Sequence, residues 1–151
     1  APVSGLDYFD SQSAELPREI RPLDVWNIMV ADPQPLLRVA FRIRDAISSL
    51  FGVKRIGGFS GIAADSVEAG DYLDFFLVEY SDETTLVLTE RDRHLDVMTC
   101  IATEGTSVAL TTSVRVHNLF GRAYMIPVGI AHKFIVRGML GRLRRTVSAN
   151  P

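Results

Sequence analysis

An α+β fold, with a curved antiparallel sheet wrapped around a long C-terminal helix and two short helices near the N-terminus, is predicted by three observations. Strand-like segments follow one another from Tyr72 to His117 with only turn-sized punctuation between them. A long apolar stretch, Leu119 to Leu143, is interrupted by Arg122, His132, Lys133 and Arg137. Those charges are too costly and too evenly spread for a bilayer span, but they suit a half-buried helix. Two earlier segments carry apolar residues at helical spacing. Consecutive strands kept apart from helices argue against a parallel sheet, and such a sheet needs the long helix to cover one face.

Tyr8 to Leu16 reads as an edge strand, and Pro17 and Pro22 bracket a loop. Leu23 to Val30 reads as a short helix, with Trp26 and Met29 or Val30 on one side, stopped by Asp32-Pro33 because the residue before proline avoids the α region. In the second helix Leu36, Ala40, Ile43, Ile47 and Leu50 form the apolar stripe, and Gly52 suits the left-handed position after its last turn. The loop "GGFSGIAADSVEAGD" could cover a strand near Lys54 to Ile56 or form a lid. Its "GGFSG" is no phosphate loop, since the Gly-Lys-Ser/Thr ending is missing. "YLDFFLVEY", Tyr72 to Tyr80, and "TTLVLT", Thr84 to Thr89, form a hairpin around Ser81-Asp82-Glu83. Two long strands, Arg93 to Thr103 and Thr106 to His117, join at Glu104-Gly105, and the last helix runs from Leu119 to Arg145. Pro127 should kink that helix or mark its true start.

Composition bounds the function. The 151 residues fit one domain, residues 1–151, with 47% hydrophobic and 23% charged residues. A net charge of -2 gives no basic field for DNA or RNA. One cysteine, Cys100, excludes an internal disulfide and a multi-cysteine zinc site, and the cytoplasm is the expected compartment. Ala1 in place of a methionine implies a processed or trimmed start. No cofactor, no metal and no integral membrane association are expected, and a homodimer is left open.

The stretch "TERDRHLDVMTCIAT", Thr89 to Thr103, is the candidate for chemistry. A two-residue turn at Glu104-Gly105 pairs Thr103 with Thr106. One face then collects Leu95, Val97, Thr99 and Ile101 against Val108, Leu110, Thr112 and Val114. The other collects Asp92, His94, Asp96, Met98 and Cys100 against Thr111, Ser113, Arg115 and His117, with Asp92 across from His117 and Arg115 across from His94. A slip by one residue would mix polar with apolar positions throughout. The second face, grading from charged to small and apolar, has three readings. It is a solvated sheet face with weak ion pairs; a pocket lining in which His94, Asp96 and Arg115 orient a polar group of an apolar ligand; or a catalytic or metal-binding set built on His94 with Asp96 or Asp92. Cys100 is read as packing rather than as a nucleophile. Tyr124 and Phe134 of the last helix are expected to point large rings toward what it covers, and His132 is given a structural role. The cluster Arg137, Arg142, Arg144 and Arg145 complements the helix dipole, with an anionic membrane or acidic partner as the sharper alternative.

The segments "DRHLDV" (Asp92 to Val97), "VRVHNLFGRAYM" (Val114 to Met125) and "IVRGMLGRL" near the end of the last helix resemble an uncharacterised bacterial family of the START-like (SRPBCC) superfamily. Proteins of that family occur alone or fused behind a Rossmann-type NAD(P)-binding domain. The resemblance implies a helix-grip fold whose antiparallel sheet wraps the C-terminal helix around a cavity. Val97 and Met98 stand where the family favours an aromatic residue and then an arginine, and Arg115 on the neighbouring strand is the candidate substitute. The superfamily spans lipid and sterol carriers, hormone receptors and polyketide cyclases, so the fold cannot choose among them. The expected function is binding of an apolar or amphipathic small molecule, lipid-like or polyketide-like. The expected lining is His94, Asp96, Met98, Cys100, Thr111, Ser113, Arg115, His117, Tyr124 and Phe134. The alternatives are a cavity-based cyclase, hydratase or isomerase, with His94 as acid or base, Asp96 its orienter and Arg115 the charge stabiliser, and an interaction module with a filled core.

Overall fold

A computed structural model of the chain describes residues 6–30, 42, 66–74, 76–91 and 95–149. Among the described residues, six strands, β1 (Tyr8–Glu15), β2 (Tyr72–Leu73), β3 (Phe76–Ser81), β4 (Thr85–Arg91), β5 (Leu95–Glu104) and β6 (Ser107–Val116), form one sheet that is accompanied by the helices α1 (Pro22–Val30) and α2 (Leu119–Ala149). The strand order is β1-β6-β5-β4-β3-β2 and each neighbouring pair is antiparallel. An antiparallel sheet gripping one long C-terminal helix is the α+β helix-grip arrangement expected. The second short helix, 36–50, and the strand near Lys54 to Ile56 lie outside the described residues.

Local chemistry explains the boundaries. Pro22 opens α1 as its first helical residue, where a missing N–H costs nothing, rather than closing a loop. Asp24 in the first turn favours the positive end of the helix and pairs with Arg21 at 3.0 Å. Asn118 caps α2, its Oδ1 accepting from the Gly121 N–H at 2.9 Å. The helix runs unbroken through Pro127, so this residue is not its start. Pro127 and Ala123 both lie on the exposed side, where the Ala123 carbonyl deprived of its usual N–H partner faces water. The segment Tyr72 to Tyr80 is not one strand. Asp74, at φ 55°, breaks it, and Leu73 pairs back onto Phe76 in a tight hairpin. Aspartate tolerates that left-handed conformation better than most residues.

The β5–β6 hairpin differs from its predicted pairing by two residues. Glu104 pairs with Ser107 and Thr103 with Val108, so the turn is Gly105-Thr106. Gly105 has φ +61°, while Thr106 is not in the positive-φ region. This is the type II′ pattern, which needs glycine first, whereas a Glu104-Gly105 turn would force Glu104 into the strained conformation. An even offset leaves every side chain on its predicted face.

The two faces differ sharply in burial. Ile101, Val108 and Leu110 of the inner face join Leu86 and Leu88 of β4 and Val78 of β3 in the core. Against them pack Val25, Trp26 and Met29 of α1 and Ile135, Val136, Met139, Leu140, Leu143 and Val147 of α2. Each such side chain removed from water contributes about 1.5–3 kcal/mol, which fixes α2 on this face of the sheet.

Candidate functional site

A connected polar group between sheet and helix is built by β1, β6 and α2. Strand β1 alternates, with Tyr8, Asp10, Gln12 and Ala14 half-buried and Phe9, Ser11, Ser13 and Glu15 exposed. Its pairing with β6 sets Tyr8 beside Val114 and Asp10 beside Thr112, and Gln12 beside Leu110, all on the inner face. Helix α2 crosses this edge and lowers His132 between the strands. The Tyr8 hydroxyl donates to the Gly129 carbonyl at 3.1 Å and lies 3.4 Å from His132 Nδ1. On the other side of the ring, His132 Nε2 is 3.4 Å from Thr112 Oγ1. The Tyr8 and His132 rings meet edge to face, with centroids 5.8 Å apart.

This network assigns the tautomer. Because Tyr8 gives its proton to Gly129, its oxygen accepts from Nδ1–H of His132, and Nε2 accepts from the buried Thr112 hydroxyl. Gln12 closes the edge, donating from Nε2 to Asp10 Oδ2 at 2.9 Å and to the Lys133 carbonyl at 3.1 Å. Among the described residues Asp10 Oδ1 has no hydrogen-bond partner. Gly129 is required by the close approach: a Cβ there would sit 2.8 Å from Tyr8 Cε2.

The electrostatics follow from burial. Burial pushes the His132 imidazole below its ordinary 6.5, with the nearby Asp10 charge acting the other way. The Tyr8 phenol is pushed up to about 12, by burial first and by Asp10 second. At neutral pH the cluster therefore holds a neutral imidazole and a neutral phenol next to the Asp10 side chain. It can hydrogen-bond a polar group, and a neutral histidine beside a phenol can also exchange protons.

Of the residues expected to line a pocket, those that are described lie outside this cluster. Asp96, Met98, Cys100, Thr111, Ser113 and Arg115 occupy the face turned away from α2, since their neighbours Val97, Thr99, Ile101, Leu110, Thr112 and Val114 point inward. On that outer face Asp96 stands across from Arg115, and its Oδ1 is 3.1 Å from His117 Nε2 with both side chains well exposed. Met98 is 42% exposed, Thr111 bonds Ser11 at 2.9 Å, and burial pushes the Cys100 thiol up. Ser113 is buried on this face, where it lies between Phe9 and Met98 across the strands. Phe134 is exposed on the outer side of α2 with the Arg137 guanidinium 5.7 Å from its ring, and Tyr124 stacks on Phe120 with centroids 6.1 Å apart. His94 and Asp92 lie outside the described residues. Among the described residues no three His, Cys, Asp or Glu side chains come together as a metal site.

Tyr8, Asp10, Thr112 and His132 were not singled out by the spacing argument. The available signal was the alternation Tyr8-x-Asp10-x-Gln12-x-Ala14, which puts polar groups on the face an edge strand turns inward.

No curated protein sequence matches the chain. Among solved structures it is similar to the crystal structure of Ara h 8.0201, at 12% identity and a TM-score of 0.41, over 95% of this chain and 99% of that one. No functional residue is carried across at that distance. The family described as "Protein of unknown function (DUF2867)" matches residues 2–139. The chain belongs to that family.

Proposed function

We propose that the protein binds an amphipathic small molecule, lipid-like or polyketide-like, between the inner face of the sheet and α2. The reading rests on one observation: among the described residues, the inner face beside α2 carries an ordered polar cluster in which one acceptor has no hydrogen-bond partner. Asp10 Oδ1 stands beside a neutral His132, and the surrounding β6 wall is Val108, Leu110 and Val114. Ligand sites are mostly apolar with a few placed polar groups, and a free carboxylate oxygen selects a ligand that brings a donor, a hydroxyl or an amine. An apolar body with one such donor satisfies both parts.

The enzyme reading moves with the site. Asp96 is engaged with His117 on the outer face, so acid–base chemistry under the helix would use His132 and Tyr8. Native mass spectrometry of protein purified from cells tests the binding reading first. Adducts of lipid size are expected, together with a thermal shift for long-chain alcohols or amines that exceeds the shift for the corresponding alkanes. Absence of both adducts and shifts across a lipid and polyketide panel contradicts it.

A further inference from the structure

Helix α2 contains six cations, Arg122, Lys133, Arg137, Arg142, Arg144 and Arg145, and no carboxylate. The rest of the chain holds the other ten cations against all eighteen carboxylates, so a net charge of -2 joins a strongly cationic helix to an acidic remainder. The exposed side of the cationic helix is also apolar. Leu119, Ile126, Ile130 and Phe134 are 82%, 69%, 62% and 58% exposed. Ile126, Ile130 and Phe134 recur at every fourth position and form one stripe, Leu119 extends it toward the N-terminus, and Arg122 and Lys133 flank it. Toward the C-terminus the same side becomes Arg137, Arg144 and Arg145, all exposed. Among the described residues none of these five exposed cations is paired with a carboxylate.

We infer that the outer side of α2 is a docking surface for an anionic lipid bilayer, with Ile126, Ile130 and Phe134 entering the interface and the flanking and C-terminal cations meeting the headgroups. A helix with large apolar residues and Lys/Arg on one accessible side, lacking acidic residues, lies in the plane of such an interface. The shape agrees. Side chains this exposed project from the helix and form no concave seat for a folded partner, whereas a deformable headgroup layer can surround them. The charge distribution orients the encounter, because the carboxylate-rich remainder is repelled from the surface that attracts α2. Crossing the membrane is not involved: among the described residues no helix is long and apolar enough to span one. The surface is on the side of α2 opposite to Tyr8 and His132, so docking is independent of what lies beneath the helix.

Flotation of the full chain with vesicles tests the assignment, using phosphatidylcholine alone and phosphatidylcholine with about one third phosphatidylglycerol. The protein is expected to float with the anionic vesicles, to remain behind with the neutral ones, and to be released by salt. An Arg144→Glu/Arg145→Glu variant and an Ile130→Glu/Phe134→Glu variant should each bind at least about tenfold more weakly, since each cation near an anionic surface and each buried apolar side chain contributes on that scale. All four positions are exposed, so both variants should keep the wild-type melting temperature, which confirms that they fold. Failure to float with anionic vesicles at low salt overturns the proposal. So does undiminished binding of the Ile130→Glu/Phe134→Glu variant, which would leave only a general cationic patch. A wild-type dimer that this variant dissociates also overturns it, because the stripe would then be an interface between copies.

Discussion

His117 and His132 occupy opposite sides of one sheet, and the contrast between them separates surface from site. His117 sits on the outer face, well exposed, with Asp96 3.1 Å from its Nε2. His132 is enclosed between β1, β6 and α2, hydrogen-bonded at both ring nitrogens and held neutral by burial. The outer pair has the more familiar composition, a carboxylate beside an imidazole. Yet water screens it, and exposed pairs of this kind contribute about 0–1 kcal/mol. Among the described residues the inner histidine has no directly bonded carboxylate, but it sits in a desolvated setting, where each hydrogen bond and each missing partner has a larger effect. Environment therefore distinguishes the two sites more than residue type does.

The contrast can be broken first at the level of packing. Leu143→Ala, at a fully buried position under the inner face, should lower stability by about 2–5 kcal/mol, whereas Met98→Ala on the outer face should stay within about 0.5 kcal/mol. Urea denaturation of the two variants measures both, and similar losses would mean that the faces have been misassigned. Next in size is Gly129→Ala. Its Cβ would meet Tyr8 Cε2 at 2.8 Å, and the expected loss is about 1–3 kcal/mol, relieved when Tyr8→Ala is added.

Proton linkage sharpens the comparison further. His132 is harder to protonate in the folded state than in the unfolded state. Below about pH 6.5 the unfolded chain takes up a proton that the folded chain refuses, so stability falls as pH drops from 6.5 toward the lower folded value and is fully present above 6.5. Thermal melts of the wild type and of His132→Gln between pH 5 and 7.5 (about one unit or more on either side of the histidine range) should show a slope that the variant lacks. An unchanged slope would place the linkage elsewhere. The smallest expected effect belongs to the outer pair, with Asp96→Asn changing stability by less than about 1 kcal/mol.

Much of the fold is legible in the residues because it depends on periodicity. Alternation along β5 and β6 separates Leu95, Val97 and Ile101 from Asp96, Met98 and Cys100, and parity survives the two-residue offset of the hairpin. The offset itself is set by turn geometry, where Gly105 serves as the first turn residue and Glu104 cannot. The break at Asp74 was hidden by a run of strand-forming residues on both sides, which outweighs a single aspartate when propensity is read locally. Alternation alone does not set which face looks inward. A charged-to-apolar gradient around Asp96 and Arg115 suits both a pocket and a wet sheet edge, and only the seating of α2 decides between them. The Tyr8–His132 contact joins residues 124 positions apart. No local pattern announces such a contact; it requires the β1–β6 pairing and the crossing of α2 to be known first.

Backbone and side-chain NMR shifts during titration with the ligand recovered by native mass spectrometry, or with 1-dodecanol if several are recovered, test whether a ligand binds at the inner cluster. Perturbations concentrated at Tyr8, Asp10, Thr112, Gly129 and His132, and weakened in an Asp10→Asn/Tyr8→Phe variant, are predicted. Perturbations confined to Asp96, Met98, Arg115 and His117, with the inner cluster unchanged, would contradict it.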